Sequence, residues 1–243
     1  MKRGIFIVKE NQCLAKDTYL MILTGDTEAI TGPGQFVNIA LEGNFLRRPI
    51  SVCDYKPGEL TLIYKVVGRG TAQMRTMPAG TKLDILTGLG NGYDLEPSGD
   101  KPLLIGGGAG IPPLYALAKK LLAQGKHPAV ILGFNRAEER FFQREFEELG
   151  VAVTVATADG SVGVKGFVTD AMPQDGYTYI YTCGPEPMLR AVYDKSVTPG
   201  QFSFEERMGC GFGACMGCTC QTKYGNKRIC REGPVLEKEE ILW

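Results

Sequence analysis

Five of the eight cysteines crowd into residues 208–236: Cys210, Cys215, Cys218, Cys220 and Cys230. The first three are spaced C-x4-C-x2-C, the opening of a plant-type 2Fe-2S loop, and Cys230 can supply the fourth thiolate. Gly209, Gly211, Gly213 and Gly217 stand between them. A backbone that wraps around bridging sulfides must turn tightly without crowding, and its amides can then point at sulfur and tune the potential. Cys220 would form a C-x-C with Cys218 and is read as a bystander. A four-cysteine zinc site usually draws on two pairs set further apart, and a disulfide framework belongs to exported chains. The cluster reading goes ahead of both.

The rest of the composition narrows the chemistry. The chain has 243 residues, 44% of them hydrophobic, enough for two modest domains and an appendage. Lys+Arg and Asp+Glu are equal at 27 each, so no bulk field draws nucleic acid or a membrane surface. The apolar run at the start breaks at Lys9, unlike a signal peptide, and no stretch has the length of a transmembrane helix. A cytoplasmic location is expected. The single histidine, His127, sits beside Pro128 in a predicted helix-to-strand loop, where a surface role is the ordinary one. No paired carboxylates are placed for acid–base work, and no catalytic residue is assigned.

The elements that must position a redox group follow from periodicity. From about residue 5 to 87, short strand-like runs (residues 19–24, 35–40, 50–54 and 60–67) are separated by Gly, Asp and Pro turns, which predicts a small antiparallel β-barrel. A short helix over residues 71–77 is stopped by Pro78. From Lys101 strands alternate with helices, the pattern of a doubly wound parallel sheet. Strands are expected at residues 102–106, 129–134, 151–156 and 177–183, with helices at 114–124, 138–149 and near Val168. Cys13 and Cys53 are read as core cysteines.

Three loops invite a nucleotide. Arg47-Arg48-Pro49-Ile50-Ser51 puts an arginine and a hydroxyl at a strand entry, and Arg48 offers a fork suited to a diphosphate. Lys65-Val-Val-Gly68-Arg-Gly70-Thr71 is a strand, a glycine loop and a helix start, which presents amides to a phosphate. Each also has an ordinary reading, as a surface arginine or a turn. Gly106-Gly107-Gly108-Ala109-Gly110-Ile-Pro-Pro again joins a strand to a helix, although it is not G-x-G-x-x-G in register and its glycines can serve packing alone. Because ligands bind at the carboxyl ends of such strands, residues 106–110, Asn135, Asp159 and Cys183-Gly184-Pro185 are expected around one crevice. Cys183 can face the nicotinamide there or fill space as a buried thiol. Arg136 and Arg140 can hold a 2′-phosphate or lie solvated on a helix.

A nicotinamide exchanges two electrons as hydride and an iron–sulfur cluster exchanges one. A chain with both sites needs a converter, and a flavin is the usual one. The barrel ahead of the nucleotide half is where it can sit.

These motifs resemble the ferredoxin–NADP reductase superfamily. Arg48-Pro49-Ile50-Ser51 resembles its flavin-binding R-x-[YF]-[ST] strand, with Ile50 in the aromatic slot. Gly68-Arg-Gly70-Thr71 resembles its phosphate loop, and Tyr181-Thr-Cys183-Gly184-Pro185-Glu-Pro-Met188 its C-G-P-x-x-M motif. With Glu205-Glu206-Arg207-Met208-Gly-Cys210 and Cys230-x-x-Gly-Pro-Val235, the chain is similar over essentially its whole length to the electron-transfer subunits of NAD-linked (class 1B) dihydroorotate dehydrogenases.

The resemblance implies FAD on Arg48, Pro49, Ile50, Ser51, Ile63, Tyr64, Lys65, Gly70 and Thr71. It implies NAD at Gly107, Gly108, Ala109, Gly110, Cys183, Gly184 and Pro185, and a 2Fe-2S cluster on Cys210, Cys215, Cys218 and Cys230. It also implies a separate FMN-containing catalytic subunit that oxidises dihydroorotate in de novo pyrimidine biosynthesis. Electrons would pass through the cluster and FAD to NAD+, in a heterotetramer of two catalytic and two electron-transfer subunits. A reductase subunit serving ferredoxin, a hydrogenase or sulfite reduction is the alternative, and a zinc-bearing binding module the more distant one. The expected boundaries are an FAD-binding β-barrel over residues 1–97, an NAD-binding α/β domain over 98–200 and a cluster module over 201–243.

Overall fold

A computed structural model describes the whole chain, Met1–Trp243. Its first part contains β1 (Lys2–Ala15), β2 (Thr18–Thr24), β3 (Phe36–Ile39), β4 (Arg48–Lys56), β5 (Glu59–Lys65), α1 (Arg69–Arg75) and β6 (Lys82–Leu89). The six strands close an antiparallel barrel in the order β1-β2-β5-β4-β3-β6. Side chains alternate across a strand, so one face of each fills the interior. Phe6, Val8, Met21, Leu23, Leu60, Leu62 and Ile85 are buried there, each contributing about 1.5–3 kcal/mol over an exposed position. Cys13 lies near the end of β1, past a register shift between Val8 and Glu10, and that expected core cysteine is exposed, while Cys53 is buried.

The second part contains β7 (Pro102–Gly107), α2 (Pro112–Ala123), β8 (Ala129–Phe134), α3 (Gln143–Glu148), β9 (Ala152–Thr157), β10 (Val164–Lys165), β11 (Tyr179–Cys183), α4 (Glu186–Lys195) and β12 (Gly200–Ser203). Its strands are parallel in the order β10-β9-β8-β7-β11-β12. The chain runs outward from β7 in one direction and then resumes on its other side, so the switch point lies between β7 and β11. Crevices in doubly wound sheets open at the carboxyl ends of the strands at this point.

Two predicted helices do not form as expected. Over residues 138–149 a turn at Ala137–Glu139 and the short α3 are separated by Phe142, whose φ is +63°. Adjacent Phe141 and Phe142 are both buried, against Phe134 and Tyr115 respectively. A continuous helix would point neighbours about 100° apart, so the backbone reverses to bury both. Near Val168 single turns replace a helix: Asp170 Oδ2 accepts from the Phe167 amide at 2.7 Å, and Pro173 follows within one turn.

The third part holds a hairpin of β13 (Thr219–Thr222) and β14 (Gly225–Arg228), then β15 (Val235–Glu237). The last strand returns to the large sheet and pairs antiparallel with β12, Phe202 opposite Leu236. Barrel and sheet share one apolar cluster in which Leu20, Cys53 and Ile63 pack with Ile111, Leu114 and Leu117. Lys119 of α2 also meets Asp54 of β4 at 2.6 Å. No helix is long and apolar enough to cross a membrane.

Candidate functional site

The barrel splits where the sequence places the flavin strand. Residues 48–51 of β4 pair with β3, whereas β4 joins β5 only from Val52 onward, with a register shift between Val52 and Asp54. On the other side of the split, Ile63, Tyr64 and Lys65 pair with β2 alone. The two expected flavin-binding segments therefore border one opening. Tyr64 turns its ring into the barrel, stacks on Tyr19 and donates its hydroxyl to Asn11, so this segment offers backbone and Lys65 rather than the phenol.

Arg48 lies directly against the glycine loop. A Cβ on Gly70 would stand 2.2 Å from Arg48 Nε, so only glycine admits the guanidinium there. The guanidinium donates to the Leu46 carbonyl at 2.6 Å and to Asn44 Oδ1 at 2.8 Å, and Asn44 in turn donates to Gln73 of α1. Thr71 Oγ1 accepts from the Val67 and Gly68 amides and closes the loop. A cation and a tightened amide loop are thus held side by side, the donor set a diphosphate requires.

The nucleotide crevice is a cavity of about 530 Å³ at the switch point, lined by Gly107, Gly108, Ala109, Gly110, Asn135, Gly184 and Pro185 among others. Gly110 touches the end of β11: a Cβ would lie 2.2 Å from the Cys183 carbonyl oxygen. The Cys183 thiol is buried in the core and does not line the cavity, and burial pushes it up to about 12. Asp159 also stands outside the lining, fixed by Ser161 Oγ at 2.6 Å. Arg136 and Arg140 do not line it either. His127 is an exposed loop residue.

Sequence reasoning missed Glu139 and Phe167 of this cavity and carried Met188 only as the end of its C-G-P-x-x-M motif. Glu139 pairs with Lys65 at 3.5 Å across the cleft between the two halves and accepts from Asn135. Met188 packs under Gly107 and Gly184. Phe167 lines the cavity with 69% of its surface exposed, ready to stack on a planar ring. Gly163 and Gly166, which mark a loop, were the available signal for Phe167.

The cysteine loop arranges its thiols as two pairs. Cys210 Sγ accepts from the Ala214 amide at 3.2 Å and the Cys215 amide at 3.4 Å, while the Cys210 amide points back at Cys215 Sγ at 3.4 Å. Cys218 Sγ accepts from the Cys230 amide at 3.4 Å. Two cysteines for each of two irons is what a 2Fe-2S cluster requires, and amides aimed at sulfur are its usual tuning device. Burial raises the Cys210 thiol, but the amides of Phe212, Cys215 and Ala214 outweigh it and bring the group down to about 6. Cys230 is pushed up to about 12 by burial and by the adjoining Cys218 thiol. Cys220 packs with the apolar residues beneath the hairpin and receives none of these amides, and burial raises its thiol. The loop rests on the barrel at Asn38, whose Nδ2 donates to the Cys210 carbonyl at 3.1 Å.

Comparison with known proteins matches the domains that carry two of these sites. Residues 205–242 match the iron-sulfur cluster binding domain of dihydroorotate dehydrogenase B, and residues 104–194 match an oxidoreductase NAD-binding domain. The "dihydroorotate dehydrogenase B (NAD(+)), electron transfer subunit" of Geobacillus sp. (strain WCH70) is 40% identical, over 100% of this chain and 99% of its own. The protein of the same description from Fusobacterium nucleatum is 42% identical over 96% of each. A chain of the NADH-dependent reduced ferredoxin-NADP oxidoreductase, solved in a study of flavin-based electron bifurcation, superposes with a TM-score of 0.89. It is 30% identical, with 98% of this chain and 90% of that one covered. The chain belongs to the family of electron transfer subunits of NAD+-dependent dihydroorotate dehydrogenase B.

Proposed function

We propose that this chain binds FAD in the split of the barrel, NAD(H) at the sheet switch point and a 2Fe-2S cluster on Cys210, Cys215, Cys218 and Cys230. With them it carries electrons from an FMN-containing, dihydroorotate-oxidising subunit to NAD+. The observation that carries the reading is the pairing of the four thiols on a loop seated against β3, the neighbour of the flavin strand β4. When bound, the nicotinamide exchanges hydride, the flavin converts two-electron to one-electron transfer and the cluster carries single electrons.

The protein's own work is positional. Arg48 and the loop ending at Gly70-Thr71 hold the flavin's diphosphate, and Pro49, Ile50, Ser51, Ile63, Tyr64 and Lys65 frame its ring system. The amides of Gly107, Gly108, Ala109 and Gly110 face the nucleotide, and Gly184 and Pro185 form the floor on the nicotinamide side. Cys183 supports that floor from the core through its carbonyl contact with Gly110. The Lys65–Glu139 pair spans the cleft between the two nucleotide sites.

We take residues 1–97, 98–200 and 201–243 as the three functional parts; the second boundary falls at the start of β12, which stays in the sheet of the nucleotide half, and β15 pairs the last part back to that sheet. Two such chains with two catalytic subunits form the working heterotetramer, in the cytoplasm. The test is anaerobic co-purification with an FMN-containing partner subunit from its own host, followed by an assay for dihydroorotate-dependent NAD+ reduction. Activity that requires both chains is expected. A preparation that contains FAD, iron and sulfide but reduces only ferredoxin would overturn the partner assignment.

A further inference from the structure

We propose that Asn38 is the positioning residue that fixes the iron–sulfur loop on the flavin barrel and sets how fast electrons cross between the two groups. The proposal rests on the reading above, in which the four cysteines hold the cluster and β4 borders FAD.

Asn38 is the polar member of an otherwise apolar strand, Phe36-Val37-Asn38-Ile39, and only 1% of its surface is exposed. Asparagine is disfavoured in strands, and here it incurs a second cost. Its Nδ2 donates to the Cys210 carbonyl at 3.1 Å, but its Oδ1 is buried with no donor. An unsatisfied buried acceptor costs about 1–3 kcal/mol. On stability alone an apolar side chain of similar size would serve β3 as well or better. The side chain is therefore placed for what its amide touches.

What it touches joins the two redox sites. In the barrel Asn38 stands opposite Pro49 of the flavin strand. Across the seam it meets a cluster ligand's own carbonyl, and Gly211, the next residue, presses against it. Gly211 has φ +77°, and a Cβ there would lie 2.2 Å from Asn38 Nδ2. A covalent and hydrogen-bonded route thus runs from Cys210 through the Asn38 amide to the β3–β4 ladder. Residues 38 and 210 are 172 positions apart in sequence, so this contact fixes a separation that local structure cannot. Electron transfer falls steeply with separation, and a loop released from this contact would lengthen and broaden it.

The experiment is anaerobic stopped-flow reduction of the reconstituted chain by NADH, wild type against Asn38→Leu. NADH delivers a hydride, two electrons with one proton, and a solvent proton completes the reduced flavin. One electron then moves to the cluster, whose iron pair is reduced by one, and the other stays on the flavin. Flavin bleaching and the cluster signal follow the two phases separately. We expect Asn38→Leu to slow the second phase by about tenfold or more with the first changed by less than about twofold. Its FAD, iron and sulfide content should be full, and its thermal midpoint equal to or above the wild type's.

A second phase at the wild-type rate overturns the proposal, as does equal slowing of both phases. If Asn38→Leu does not fold, Asn38→Ser, whose hydroxyl is too short to reach Cys210, must give the same split. A wild-type chain that lacks FAD or the cluster refutes the underlying reading, and the proposal with it. That outcome is read before any variant is made.

Discussion

Arg228 donates from Nη1 to the carbonyl oxygen of Gly213 across 2.7 Å, while the same guanidinium is forked onto the carboxylate of Glu232. One arginine thereby closes the segment bearing Cys210 and Cys215 onto the turn that bears Cys230. Its hydrogen bonds hold Glu232 down to about 2. With both contacts gone, Arg228→Ala should release its cluster to a chelator about tenfold faster or more. Loss of the visible cluster absorbance under anaerobic chelation measures it. An unchanged half-life would show that the cysteines alone hold the loop.

The sequence made the local parts of this arrangement legible. The strand at Ala129–Phe134 is where its apolar run places it, and the loop after β7 opens the cavity because its glycines let neighbouring backbone approach and the following prolines start α2. Local signals failed where burial of neighbours overrode them, as at Phe141 and Phe142, whose joint burial breaks the expected helix. They also failed where function depends on distant partners. Nothing around Asn38 points to Cys210, and nothing in Val235–Glu237 announces that it will join the sheet of the nucleotide half. The one available hint was negative, an asparagine where a strand prefers an apolar residue.

Gly70 sets the position of Arg48 in the split barrel. Gly70→Ala should displace the guanidinium, because its new methyl would stand 2.2 Å from Nε. The flexible arginine can move aside, so the fold should survive while one charged phosphate partner is lost. We expect FAD to bind about tenfold to a hundredfold more weakly, matching Arg48→Ala, from the contribution of a charged hydrogen bond. Flavin retained through gel filtration at wild-type occupancy in both variants would remove Arg48 from the site.

Asp84 ties the barrel seam near the same region. Its carboxylate is held below its ordinary 3.8 by hydrogen bonds from Arg3 and, against some burial, from Arg47. Arg47 also donates to the Asp84 carbonyl at 2.9 Å. The folded value is depressed, so the stabilisation is complete above the unfolded value and is lost as pH falls through the folded one. Arg3 is largely exposed and adds little, leaving about 1 kcal/mol with Arg47. Wild type should therefore melt above Asp84→Asn by a constant margin from about pH 7 to pH 5, shrinking only below about pH 4. A margin that has already closed at about pH 6 would mean that another group carries it.

The two cysteines that sequence spacing alone separates, Cys215 and Cys220, give the sharpest contrast. Cys215 shares amide contacts with Cys210, and its sulfur also accepts from the Gly217 amide at 3.4 Å. Cys220 lies two residues beyond Cys218 on β13, packed against the apolar floor of the hairpin, and its sulfur takes no part in the amide contacts that link the other four. Cys215→Ser should lose the cluster absorbance and transfer to the catalytic subunit, yet keep FAD and NADH-to-dye activity, because the barrel and nucleotide cavity contain no part of this loop. Cys220→Ser should keep iron, sulfide and transfer, at a stability cost of about 1 kcal/mol for a hydroxyl in a half-buried apolar place. Iron and acid-labile sulfide assays on the two proteins decide it. Equal losses from both would make Cys220 a ligand, and the C-x-C that the spacing rule sets aside would have to be taken into the cluster.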